Sequence, residues 1–370
     1  MTKHRKHFKK RLTYQGKIFF AVFGAAMVLV LSLLILTSLG FYESINSQIG
    51  RLVSTQPTIS IYASAKDKIP FTYTTSDAAY GSDVAIISKK FHRYEIMLSG
   101  QRGWVDSENI ELINQEEPFY ASYYTINEND ELVHAITQNL TQQSYQFIRL
   151  DTALPYLSKG VAYYSYDGHY FYDDEKVMLQ DYRERSNASA VNKTPYYNYY
   201  QYMPMKSYSN VNAEVMDQFL VEQVQATPSV LWYHAQDFID IQSEQKVNAL
   251  LLYSLAINES AFGTSYLALN KYNLFGYNAV DVDPNLADPF ESVVNCLLIY
   301  TRDHLNNGYF NELDTRYHGA YLGDKAGGMN VSYASDPYWG EKAAGFAYQL
   351  DARANFVDKG NYTLAIGSIT

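Results

Sequence analysis

Glu259 closes a run, Ala249 to Ile257, that is apolar on nearly every face. A helix of that kind is normally the one a domain wraps around. Asn248 supplies an N-cap and Gly263 a stop. The spacing therefore predicts a helix that delivers Glu259 one turn after Leu255 and two turns after Leu251. A carboxyl half buried at that end, against Phe262, has its charged form disfavoured and its pKa raised. That suits a general acid working near neutral pH. A Glu that simply meets solvent at a helix end fits the same spacing, so the weight falls on the residues C-terminal to it.

Glu259-Ser260-x-x-Gly263-Thr264-Ser265 leads into Leu267-Ala268 and then Asn273-Leu274-Phe275-Gly276; further on, Tyr333-Ala334-Ser335-Asp336-Pro337-Tyr338 precedes a final helical pattern. These two segments resemble the glycoside hydrolase family 73 endo-β-N-acetylglucosaminidases, bacterial enzymes that cut peptidoglycan. The resemblance covers about residues 212–355. It implies a mostly α, lysozyme-like catalytic domain that cleaves glycan strands after N-acetylglucosamine and before N-acetylmuramic acid, in wall remodelling or cell separation. Glu259 is then the general acid, and Phe262, Asn273, Phe275, Tyr277, Tyr338 and Trp339 are the expected substrate-binding residues.

A glycosidase usually needs a second carboxylate. Asp281, Asp283 and Asp336 are the candidates. Asp283 precedes Pro284 in a turn, and Asp336-Pro337 also reads as an N-cap and first-turn proline. Asp281 stands in an Ala279-Val280-Asp281 stretch that resembles the family's Ala-Tyr-Asp turn. A substrate whose 2-acetamido group attacks its own anomeric carbon needs only orienting groups, for which Tyr333 or Tyr338 would serve. The catalytic set is thus Glu259, Asp281, Tyr333 and Asp336, with the second group left open. No metal cluster, phosphate loop or nucleotide fingerprint stands in the sequence, so no cofactor is implied. A lytic transglycosylase of the same fold and a non-catalytic wall-binding scaffold are the rival readings; the intact Glu259 motif speaks against the scaffold.

The elements around these residues read as helices. Asn212 caps one through Val224, and Thr227-Pro228 opens another carrying Leu231, Trp232, Ala235 and Phe238. Asp288-Pro289-Phe290-Glu291 reads as cap, first-turn proline and capping-box Glu, with an inward stripe of Phe290, Val293, Val294, Leu297, Leu298 and Leu305. Cys296, the sole cysteine, falls among these apolar residues as core; no intramolecular disulfide is possible.

Before this domain the chain reads as a string of modules, a multidomain fold. Residues 1–17 carry seven of the 29 Lys and Arg (Lys3, Arg5, Lys6, Lys9, Lys10, Arg11, Lys17) and no acid, while the chain as a whole has a net charge of -10. The acidic body excludes a nucleic-acid partner. Residues 18–42 are uncharged and long enough to span a bilayer, which predicts an uncleaved transmembrane helix with the basic tail in the cytoplasm and the catalytic domain extracellular, in a Gram-positive-type envelope. That topology leaves room for a regulatory membrane-protein partner. Residues 43–56 read as a stalk. Short β-type runs at Thr58–Ala63, Phe71–Thr74, Val84–Ser88, Tyr94–Leu98 and Gly103–Val105 predict a small all-β module over 57–115; its Gln-Arg-Gly-Trp-Val-Asp ending resembles bacterial SH3-like modules. The Tyr-rich 117–182 reads as a WW-like β module, with an Asp167-Gly168 turn and its tyrosines used mainly in cross-strand pairs. Residues 183–211 read as an ordered linker and 356–370 as a C-terminal tail.

Overall fold

The structure is a computed structural model and describes residues 42–43, 47–81, 83–114, 117–277 and 288–365. Its N-terminal half is antiparallel β. Strands β1 (Tyr42–Glu43), β2 (Gln48–Leu52), β5 (Asp83–Lys90), β6 (Arg93–Leu98), β7 (Gln101–Asp106) and β8 (Ile110–Leu112) make one sheet in the order β7-β6-β5-β2-β8, with β1 paired to β5. β3 (Ile59–Ile61) and β4 (Thr72–Thr74) form a hairpin bridged to this sheet through Tyr62 and Trp104. β9 (Tyr123–Ile126), β10 (Glu131–Thr137) and β11 (Tyr145–Thr152) form a second sheet in the order β11-β10-β9.

The β5 and β6 sequences, Asp-Val-Ala-Ile-Ile-Ser and Arg-Tyr-Glu-Ile-Met-Leu, are rich in branched and aromatic residues that favour a pleated surface. Every residue of β6 is buried, so both faces of this sheet are covered. The β6–β7 hairpin turns on Ser99 and Gly100, both in the left-handed region at φ 44° and 77°. A Cβ on Gly100 would stand 2.5 Å from the Asp324 carboxylate, so only glycine lets this tip approach the helical half.

That close approach is general. One hydrophobic core joins Ile59, Val84, Ile96 and Val105 of the first layer to Tyr124, Leu132 and Ile148 of the second sheet, and to Tyr338 of the helical half. Another joins Ile49 and Ile87 to Tyr166, Tyr172 and Tyr182. At the junction the buried Asp83 carboxylate accepts bonds from the Ser122 N–H and hydroxyl, each at 2.8 Å, and from the Tyr166 hydroxyl at 2.6 Å. The tyrosines of 117–182 are thus spent on internal packing and bridging. The expected SH3-like and WW-like modules are not seen as separate beads.

The helical half comprises α1 (Glu175–Glu184), α2 (Tyr199–Tyr202), α3 (Ala213–Val224), α4 (Ala235–Gln245), α5 (Ala249–Glu259), α6 (Tyr266–Lys271), α7 (Val293–Ile299) running on as a π-helix over Tyr300–Tyr309, and α8 (Trp339–Arg353). α5 is the axis: every residue from Ala249 to Ile257 is buried, and Asn248 caps it by accepting the Leu251 N–H at 2.9 Å. Asn212 caps α3 in the same way.

Several expectations are corrected. Among the described residues no helix is long and apolar enough to cross a membrane. The span read at 18–42 lies outside the described residues except for Tyr42, which with Glu43 is a β-strand paired to Lys90 and Lys89. Over the described residues the fold is a mostly β N-terminal region followed by a helical domain. The stalk read at 43–56 contains β2, a strand between β5 and β8 whose Ile49 and Leu52 are buried. The tail read from 356 contains Asp358, buried against Asn210 and Asp351. Pro228 precedes a turn over residues 230–233, and α4 starts at Ala235. α7 is capped by Ser292, whose hydroxyl accepts from Asn295 at 3.1 Å, in place of Asp288. Its inward stripe accordingly runs through Val293, Cys296, Leu297 and Tyr300, leaving Val294 exposed.

Candidate active site

Glu259 is the last residue of α5, half-buried, and the chain turns sharply after it. Ala261, Phe262 and Gly263 all have positive φ, at 49°, 59° and 74°. Ser260, buried, braces the turn: its hydroxyl donates to the Ala256 carbonyl at 2.6 Å and accepts the Gly263 N–H at 2.8 Å. A Cβ on Gly263 would sit 2.6 Å from the Ser229 hydroxyl oxygen, which itself donates to the Phe262 carbonyl. The Glu-Ser-x-x-Gly spacing is therefore the covalent record of a turn that ends the central helix just after its final carboxyl.

Across from it stands α8, whose first residue, Trp339, donates its indole N–H to the Glu259 carboxylate. Burial pushes the Glu259 carboxyl up to about 7, the nearby Asp336 charge pushes the same way, and the Trp339 and Asn258 hydrogen bonds oppose them. Trp339 stacks on Tyr333 with ring centres 4.4 Å apart. The Tyr300 hydroxyl donates to that of Tyr333 at 2.9 Å, and Phe275 lies parallel to Tyr300 at 3.7 Å. His304 packs among Tyr277, Tyr300, Tyr309 and Tyr333, and burial pushes its imidazole down to about 4, so it is neutral near pH 7. The carboxyl thus ends a wall of stacked aromatics. Such a wall offers flat apolar faces and keeps bulk water from the acid.

Of the residues singled out in the sequence, the structure brings together Glu259, Tyr333, Trp339 and, one ring further, Phe275 and Tyr277. Phe262 lies half-buried beyond Glu259, edge-on to Phe346 at 5.2 Å. Asn273 is buried and bound to backbone: it accepts the Tyr277 N–H at 2.9 Å and donates to the carbonyls of Tyr277 and Asp288. It shapes the turn, with both ends of its amide engaged by backbone. Tyr338 is buried in the core shared with the β-layer, edge-on to His134 at 4.9 Å. Asp281 and Asp283 lie outside the described residues.

Asp336 is nearly buried. One oxygen accepts the Tyr338 N–H at 2.8 Å and the other pairs with the Lys342 ammonium at 2.7 Å. It makes a local turn two residues before Tyr338, the N-cap of the helix, so the cap is displaced by two residues from the expected Asp336. Tyr300, His304, Tyr309 and Lys342 escaped the sequence reading. Tyr300 could have been found, because it continues the i, i+4 spacing from Cys296 and the i, i+3 spacing from Leu297. His304 and Lys342 give no such signal.

Beside Asn258 a trough of about 220 Å³ opens between β11 and α8, lined by Gln146, Phe147, Arg149, Lys342 and Phe346. The Phe147 ring on its rim is 61% exposed.

A half-buried acid at the end of a central helix, faced by an aromatic wall, is an arrangement that can serve general acid catalysis. Residues 235–352 match the Glucosaminidase family, described as mannosyl-glycoprotein endo-beta-N-acetylglucosaminidase. The resemblance to family-73 glucosaminidases read from residues 259–276 and 333–338 is borne out. The chain is 28% identical over 301 residues to a "Putative endo-beta-N-acetylglucosaminidase" of Streptococcus pneumoniae serotype 4, over 80% of this chain and 39% of that protein. It is similar at the same identity to the protein of that name from Streptococcus pneumoniae strain R6, over 37% of its length. The chain therefore spans less than two-fifths of the length of these relatives. Structures of S. aureus autolysin E, among them a catalytic mutant in complex with the disaccharide NAG-NAM, align over 42% of this chain and 73% of theirs at 21% identity, with a TM-score of 0.33.

Proposed function

We propose that the protein is an endo-β-N-acetylglucosaminidase that cleaves peptidoglycan glycan strands between N-acetylglucosamine and N-acetylmuramic acid. The observation that carries this reading is the Glu259 carboxyl, held near neutral pKa by burial inside the matched domain. A carboxyl protonated at neutral pH can pass its proton to the leaving sugar oxygen, and the proton is returned from water after the bond breaks. Tyr333 and Trp339 orient the sugar on the aromatic wall, and the trough past Asn258 gives the strand a path along β11, with Phe147 as a stacking face.

The second group is Asp281, five residues after Gly276 in the sequence, which activates water or steadies the substrate's own acetamido group. Asp336 serves through its field on Glu259, since both of its oxygens are engaged by neighbouring groups. Digestion of purified peptidoglycan by the full chain, followed by borohydride reduction and mass spectrometry, tests the assignment. Reduced N-acetylglucosamine ends are expected. Anhydro-muramic ends would replace this reading with a lytic transglycosylase, and intact strands would leave a wall-binding scaffold.

A further inference from the structure

Beyond the short 3-10 turn at Met329–Val331 the chain up to Trp339 has no regular hydrogen-bond ladder of its own, yet carbonyls along residues 330–337, on both sides of Tyr333, are occupied from outside. The Thr72 hydroxyl donates to the Val331 carbonyl at 2.6 Å and the Tyr73 hydroxyl to that of Ser332 at 3.1 Å. The Thr75 N–H donates to Ser335 at 3.0 Å, and the Ser99 hydroxyl to Pro337 at 2.6 Å. All four donors belong to the β-layer: Thr72 and Tyr73 lie on β4, Thr75 directly follows it, and Ser99 is on the β6–β7 turn. Two further carbonyls, Asn330 and Ala334, are taken by the ammonium of Lys325, the first at 2.9 Å; the helical half adds the Tyr309 hydroxyl on Ser332 at 3.1 Å and the Asn330 amide on Pro337 at 3.0 Å.

Lys325 is fully buried. Burying an ammonium is costly, and here the return comes from two carbonyls and from the face of Tyr73, 5.1 Å away. A Met of similar length would fill the same space without that cost. What it would not do is fix two carbonyls four residues apart, on either side of Tyr333. The Tyr73 side chain is used twice, through its hydroxyl on Ser332 and its ring over Lys325, so β4 and Lys325 grip the segment together.

We propose that the β-layer and Lys325 form a positioning device for the reaction, holding residues 330–337 so that Tyr333 and Trp339 stay fixed against Glu259. Thr72, Tyr73 and Lys325 are then positioning residues, remote from the sugar and acting through Tyr333 and Trp339. The inference rests on Glu259 being the reacting acid, but its grip on Trp339 can be read without any substrate. It also gives the β-layer work to do other than binding the wall.

The test uses the full chain with Trp104→Phe and Trp232→Phe, which leaves Trp339 as the sole indole. Its emission maximum and acrylamide quenching report how firmly the ring is packed. Thr72→Val combined with Tyr73→Phe keeps shape and removes the two hydroxyls; Lys325→Met removes the ammonium; Thr72→Ser keeps a hydroxyl. The expected result is a red-shifted, more quenchable Trp339 in the first two variants, and parent-like emission in Thr72→Ser. On glycan strands kcat should fall about ten- to a hundredfold in those two, the scale of a misplaced catalytic geometry, with KM nearly unchanged. Parent-like emission in both Thr72→Val/Tyr73→Phe and Lys325→Met overturns the proposal, as does a Thr72→Ser variant that behaves like Thr72→Val. Should the double variant lose its far-ultraviolet circular dichroism, Thr72→Val alone against Thr72→Ser decides. If the parent cleaves no glycan, the proposed function fails while the emission comparison still decides the grip.

Discussion

Trp339, at the first turn of the last helix, donates its indole N–H to Glu259, at the last turn of the central helix, 80 residues earlier in the chain. A donor of this kind favours the ionised carboxylate, so it works against the burial that keeps Glu259 protonated. The bond positions the acid at some expense to its proton. Trp339→Phe keeps an aromatic ring against Tyr333 and removes the donor, so the carboxyl pKa should rise. An acid that acts in its protonated form loses activity as pH rises through its pKa. The alkaline limb of kcat/KM, near pH 7 in the parent, should therefore move to higher pH in Trp339→Phe, while kcat at the optimum falls. A limb that stays in place or moves down would mean that Glu259 is not the group being titrated.

Glu259→Gln tests the same group from two sides. It removes the transferable proton, worth about 10² to 10⁴-fold in rate. It also removes a carboxyl whose folded pKa, about 7, lies above its ordinary value of 4.5. Such a group binds its proton more tightly when folded, so its contribution to stability is fully present below pH 4.5 and is lost as pH rises through 7. The Gln variant should thus be the more stable protein at pH 8, by on the order of 1 to 3 kcal/mol, and the gap should close toward pH 5. Thermal unfolding of the two proteins at these pH values measures it; an equal gap at both would place the effect in packing alone.

The central helix was legible because its cause is local: an Asn cap, an apolar run with no polar face, and a Gly beyond it are all contiguous. The same holds for the turn at Ser260 to Gly263 and for the strands from β3 to β7. The errors have a common source as well. Ser292 outcompetes Asp288 as a cap because Phe290 is tied by its N–H to the Lys271 carbonyl, a contact made only after α6 has been placed. Asn273 and Tyr338 read as sugar-facing from their motifs, yet the first is consumed by the Tyr277 backbone and the second by the β-layer. A motif preserves residue types that share a turn; it does not say which of them face the cleft. Nor can it show that β2 would be needed inside a sheet with β5 and β8, since strand pairing is non-local.

Phe147 separates a binding contribution from a chemical one. Its ring is largely exposed on the trough rim and lies on β11, away from the Glu259 wall. Phe147→Ala should raise KM for long glycan strands severalfold and leave kcat and thermal stability alone, the pattern of a contact equally present in ground and transition states. Steady-state kinetics with strands of graded length checks this. An unchanged KM for the longest strands would remove the trough from the substrate path.

The division of labour among the aspartates is the remaining question. Asp336 has one oxygen on the Tyr338 N–H and the other on Lys342, and it raises the Glu259 pKa through space. Asp336→Asn therefore has two calculable effects. It leaves the buried Lys342 ammonium without its partner, which typically costs about 3 to 5 kcal/mol, and it removes a negative neighbour, so the Glu259 pKa falls and the alkaline limb moves to lower pH. This is the opposite shift to that of Trp339→Phe. Asp281→Asn should lower kcat strongly with unfolding and the alkaline limb both unchanged, because its proposed work is on water or on the substrate. Tyr333→Phe should cost less, since it keeps the ring stack and loses only the hydroxyl bonded to Tyr300, and Asp283→Asn should be mild. The pH profiles and unfolding curves of the set decide it. If Asp281→Asn keeps parent turnover while Asp336→Asn loses it at unaltered stability, the second catalytic carboxylate is Asp336 and the assignment of Asp281 is withdrawn.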